Sequence, residues 1–72
     1  MTLAEQIKFV RRIDTIIARK RTGTAQKFAA FMAISRSQLF YYFETIRSLG
    51  AEIAYCKSRK TYYYVNDIRP DF

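Results

Sequence analysis

The chain of 72 residues has no histidine, one cysteine (Cys56), one proline (Pro70) and two glycines (Gly23 and Gly50), and only 6 aspartates and glutamates against 13 lysines and arginines. Each shortage excludes a class of protein. The lone cysteine falls in a segment of strand pattern, and the carboxylates are scattered without a paired or metal-ligand spacing. The groups of acid–base, nucleophilic and metal-assisted catalysis are therefore missing, and we expect no enzyme, no metal and no cofactor. Two glycines cannot build a glycine-rich phosphate loop. One cysteine cannot form an internal disulfide, so the fold does not depend on an oxidising compartment and a cytoplasmic location is expected. There is also no long apolar run. Glu5, Lys8, Arg11 and Arg12 interrupt the apolar positions near the N-terminus, which reads as neither a signal peptide nor a spanning helix, and no membrane partner is expected.

What remains is rich in apolar and positively charged groups. Half of the residues are hydrophobic and 17% are aromatic, enough for a folded core and unlike a disordered segment. A chain of this length makes one small domain that buries about 60% of its unfolded surface. The formal charge of +7 and a pI of about 9.9 point to a polyanionic partner, nucleic acid first and an anionic surface second, with solubility alone as the plain alternative.

The stretch from Thr24 to Gly50 carries the most local information. Ser35 followed three residues later by Gln38 is a capping box for a helix, and Gly50 supplies the left-handed residue that ends one. Between them Leu39, Phe43 and Ile46 make one apolar stripe, with Ser37, Tyr41 and Ser48 on the opposite side. Upstream, Thr24 caps a short helix running to about Met32, with Phe28, Ala29, Phe31 and Met32 as buried candidates. Ala33 and Ile34 form the turn between the two. Before that, Thr2 and Glu5 open a first helix of about residues 3 to 20, whose stripe is Leu3, Ile7, Val10, Ile13 and Ile17, widened by Phe9 and Ile16. Beyond Gly50 the period becomes alternating: Ile53 and Tyr55, then Tyr62 and Tyr64, around the polar tip Lys57-Ser58-Arg59-Lys60, which predicts a β-hairpin with Tyr63 outward. Residues 1–65 form the domain, and residues 66–72 read as a short, loosely ordered tail.

The order is helix, helix, tight turn, helix, hairpin: a mainly α fold with a β-hairpin. Phe28-Ala29-Ala30-Phe31-Met32-Ala33-Ile34-Ser35, then Ser48-Leu49-Gly50-Ala51-Glu52-Ile53-Ala54-Tyr55, then Tyr62-Tyr63-Tyr64 resemble the winged helix-turn-helix domain at the N-terminus of many bacterial transcription regulators. The resemblance spans about Leu3 to Val65. It departs at Ala33 and at Ser58-Arg59-Lys60, where relatives often have glycine, and at Tyr41 and Tyr42, where they often have arginine and an acidic residue. It implies sequence-specific binding of double-stranded DNA by a bacterial or phage regulator, with residues 35–49 as recognition helix in the major groove and residues 56–61 as wing on backbone or minor groove. On that reading Arg36, Ser37, Gln38 and Tyr41 face bases, and Thr24, Lys27, Lys57, Arg59 and Lys60 meet the backbone. Arg36 suits guanine and Gln38 adenine, although Arg36 can equally take a phosphate and Gln38 can be occupied in the capping box. A homodimer through the first helix and the tail is open. So are a protein-interaction module built on an aromatic patch of Phe40, Tyr41 and Tyr42, and an aromatic platform for single strands.

Overall fold

A computed structural model describes residues 2–71. Three helices, α1 (Leu3–Ala18), α2 (Ala25–Met32) and α3 (Arg36–Ser48), precede a hairpin of β1 (Ile53–Cys56) and β2 (Thr61–Tyr64), after which Val65–Asp67 form a single 3-10 turn. The strands pair antiparallel with Ile53 opposite Tyr64 and Tyr55 opposite Tyr62. This is a winged helix-turn-helix layout in one domain.

The local signals act where the spacing places them. The side chains of Thr2, Thr24 and Ser35 accept from the N–H groups of Glu5, Lys27 and Gln38 at 3.2, 3.3 and 3.1 Å, satisfying a donor in the first turn of each helix. The turn between α2 and α3 closes on Ala33, at φ 59°. Its N–H reaches the Ala30 carbonyl at 3.1 Å and that of Ile34 reaches Ala29 at 3.0 Å, the paired bonds of a Schellman motif. Ile34 then packs against the core, so the left-handed alanine is held by bonds on both sides. Gly50, at φ +99°, turns the chain out of α3 towards β1 in a conformation that a side chain would strain.

Phe43 is fully buried where the layers meet. Its ring lies 6.0 Å from Phe28 of α2, 5.8 Å from Phe40 and 4.9 Å from Tyr62 of β2, within the range of favourable edge and tilted contacts. Val10, Ile13 and Ile17 of α1, Ala29 and Met32 of α2, Leu39, Tyr42 and Ile46 of α3, and Ala51, Ile53 and Tyr64 beyond it complete the core.

Several expectations are corrected. α1 stops at Ala18 rather than near residue 20, because Lys20 turns left-handed at φ 57°. Leu3 and Ile7 continue the apolar period but remain 72% and 42% exposed, since the helix runs beyond the core. Phe31 is 64% exposed, lying under the Arg12 guanidinium at 5.5 Å. Tyr55 is exposed, and Tyr62 and Tyr63 are both half-buried, because the hairpin projects past the helices towards its tip.

The tail is pinned rather than loose. Asp14, buried on α1, accepts from the Tyr64 hydroxyl at 2.7 Å and from two nitrogens of Arg69. Pro70 is buried, and the Asp71 N–H donates to the Leu49 carbonyl at 2.9 Å. One carboxylate thus ties α1, β2 and the tail. Burial first, and then the hydrogen bond to Asp14, raise the Tyr64 hydroxyl above its ordinary pKa of 10.0.

Asp14→Ala removes the partner of a buried hydroxyl and of a guanidinium, and is expected to cost about 2–3 kcal/mol in urea unfolding. The Tyr64 contribution has a defined direction with pH. A hydroxyl whose folded-state pKa lies above its unfolded value keeps its proton in the fold while the unfolded chain ionises. The stability is complete below about pH 10 and is lost as pH climbs from there through the folded-state value. Above pH 10 the urea midpoint should therefore fall more steeply for the native chain than for Tyr64→Phe.

Candidate nucleic-acid interface

α3 buries Leu39, Tyr42, Phe43 and Ile46, so its opposite side carries Ser37, Tyr41, Glu44 and Ser48 at helical spacing. Arg36, Ser37, Gln38 and Tyr41 are all exposed, Tyr41 at 64%. Among the described residues the Gln38 amide makes no hydrogen bond back to Ser35. Only the serine half of the capping box forms, and the amide is available to a ligand. Glu44 also points outward, and Arg47 one turn on pairs with it at 2.5 Å. The i,i+3 spacing brings the two side chains onto neighbouring positions of the helix surface. It cancels the one negative charge on this face.

Beside α3 stands the hairpin. Its tip, residues 57–60, holds Lys57, Arg59 and Lys60 exposed, with Lys60 at φ 52° taking the left-handed position where a glycine would be easier. An aromatic row, Phe43 to Tyr62 at 4.9 Å and Tyr62 to Tyr55 at 4.8 Å, links α3 to the hairpin. Burial first, and the neighbouring Tyr55 next, raise the Tyr62 hydroxyl above its ordinary pKa against the opposing pull of Arg47.

The loop before α2 is fastened to the wing, a contact that nothing in the local pattern announced. Thr22 is buried, and its hydroxyl accepts from the Tyr62 N–H at 2.8 Å while its own N–H donates to the Thr61 hydroxyl at 3.1 Å. These bonds cover the outer edge of β2, which would otherwise offer an unpaired donor. They bring Thr24, half-buried as the α2 cap, and exposed Lys27 to the same side of the molecule as the base of the wing. The nine sequence-predicted residues thus fall into three groups: the outer face of α3, the wing tip and the start of α2.

The aromatic patch does not survive as a surface of three rings. Tyr42 is buried and stacks on Phe9 with centroids 6.0 Å apart. Phe40 and Tyr41 remain exposed on different flanks of α3. Among the described residues no cluster of cysteine and carboxylates could hold a metal ion, and no helix is long and apolar enough to cross a membrane. Comparisons with protein-family models, curated proteins and solved structures find no match to this chain.

Thr22→Val keeps the shape of the side chain and leaves the Tyr62 N–H without its partner. A loss of about 1–3 kcal/mol is expected in urea unfolding, together with faster hydrogen exchange at the Tyr62 amide.

Proposed function

We propose that this chain binds double-stranded DNA in a sequence-specific way and serves as a bacterial or phage transcriptional regulator. The observation that carries the reading is the presented face of α3, where Arg36, Ser37, Gln38 and Tyr41 stand exposed at its N-terminal half, together with three exposed cations at the wing tip. Side chains at that end of a recognition helix are the ones that reach base edges in the major groove, while wing and second helix grip phosphates. Arg36 has the fork that matches guanine and Gln38 the free amide that matches adenine, each worth about 1–3 kcal/mol of discrimination. Lys57, Arg59, Lys60, Lys27 and the α2 cap at Thr24 supply the backbone contacts. No cofactor or catalytic step is needed for this role, and a cytoplasmic location goes with it.

A second reading, a protein partner or a second copy of the chain, has one specific observation in its favour. Exposed Leu3 and Ile7 on α1 share with Tyr41, Thr45 and Leu49 of the α3 region a shallow apolar notch of about 140 Å³. Tyr41 belongs to both surfaces, so occupation of the notch competes with duplex binding.

Fluorescence anisotropy with random-sequence duplex, matched single strands and anionic vesicles across a salt series tests the proposal. Duplex should be preferred, with affinity falling on a log-log plot in proportion to the phosphates neutralised. Combined Lys57→Ala, Arg59→Ala and Lys60→Ala should flatten that slope by about one unit per cation. Absence of duplex binding at low salt would reject the DNA reading and leave the notch as the surface to pursue.

A further inference from the structure

The corner between α1 and α2 holds a concentration of positive charge that the face of α3 does not account for. Arg19, Arg21 and Lys27 share one groove of about 450 Å³ with Ile16, Phe28 and Phe31. Just across the chain Lys20 and Arg59 share a second depression with Thr61 and Tyr63. Arg12, over the exposed Phe31 ring, adds a further charge along the edge of the first groove.

No carboxylate lines either depression. Glu44 is paired with Arg47 and Asp14 with Arg69, and among the described residues none of these six cations is in an ion pair. Like charges gathered around a concave, partly apolar surface repel one another and focus a positive potential, which an anion relieves. The corner is also held in shape. Thr22, between Arg21 and Gly23, is bonded to Thr61 and Tyr62 of the wing. Gly23 at φ +73° packs so closely on Lys27 that an added Cβ would come within 3.3 Å of the lysine Cβ.

We propose that this corner binds phosphate groups of the duplex backbone, with Arg19 and Arg21 joining Lys27 in one groove and Lys20 joining Arg59 in the other. The assignment rests on the duplex reading above. It follows from position: the corner runs without a break into the start of α2 and is hydrogen-bonded to the base of the wing, so phosphates gripped by those two elements continue onto it. The groove's contacts are to charge and shape, so they add affinity and leave sequence preference unchanged.

The test compares the full chain with the double variant Arg19→Gln, Arg21→Gln, and with Lys8→Gln, in the N-terminal half of α1 and outside both depressions, as a control for net charge. Log affinity for random duplex is measured against log salt for each, with inorganic tripolyphosphate as a second probe. The double variant should flatten the slope by about two units and weaken random and selected duplexes alike, with its unfolding midpoint unchanged, while Lys8→Gln leaves the slope as it was. A double variant that binds duplex with the native slope overturns the corner assignment and leaves the function standing, as does an equal loss per charge in Lys8→Gln. A native chain that binds no duplex overturns the function and the backbone assignment together. If that chain nevertheless binds tripolyphosphate in a way the double variant does not, the corner belongs to a free phosphorylated ligand.

Discussion

The burial of Phe43 is the constraint from which the arrangement of the working surfaces follows. Its ring meets Phe28 of α2 and Tyr62 of β2 within 6.0 and 4.9 Å, so a single side chain on α3 is held against both neighbouring elements. Fixing that residue inward fixes the rotation of the helix, and with it which residues face outward. Ser37 and Tyr41 are presented because Leu39, Tyr42, Phe43 and Ile46 are not. A small domain has few apolar contacts with which to set orientation, and here one aromatic centre positions α2, α3 and the hairpin.

Two polar ties reinforce what packing begins. Asp14 joins α1 to β2 and to the tail, and Thr22 joins the α1–α2 loop to the outer edge of β2. Both are buried, and both are satisfied: among the described residues no buried side-chain nitrogen or oxygen lacks a partner. Such networks favour one arrangement over its competitors because any other leaves a polar group stranded. The wing is thus fastened from three sides: by Phe43 across its inner face, by Asp14 at its far end and by Thr22 along its edge. A hairpin of two four-residue strands would be marginal alone.

Much of this was legible in the sequence because the signals were local. Ser35 and Gly50 bracket α3 within a few residues of the bonds they make, and the turn through Ala33 and Ile34 closes on carbonyls only three to five residues back. What could not be read depends on distance along the chain. Asp14 sits in the apolar period between Ile13 and Ile17, and its partners are 50 and 55 residues away. Periodicity identified the side of α1 that carries Leu3 and Ile7 but not how far the core would reach along it. Alternation put Tyr55 on the same face as Ile53, without showing that this face meets solvent towards the wing tip. For the candidate site, the outer face of α3 and the tip cations were readable from phase and position. The cationic corner was not, since charges at a helix end look like an ordinary solvated surface until the fold gathers them around two neighbouring depressions.

The central claim is that the face of α3 opposite Phe43 meets the base edges of a DNA duplex. Mapping backbone amide and side-chain resonances of the full chain on adding duplex DNA tests it most directly. The account predicts the largest changes at the Arg36, Gln38 and Tyr41 side chains and at Ser37, with smaller ones at the wing tip and the start of α2. Changes confined to Leu3, Ile7 and Thr45, or a duplex that perturbs the basic side chains while leaving the outer face of α3 untouched, would contradict it.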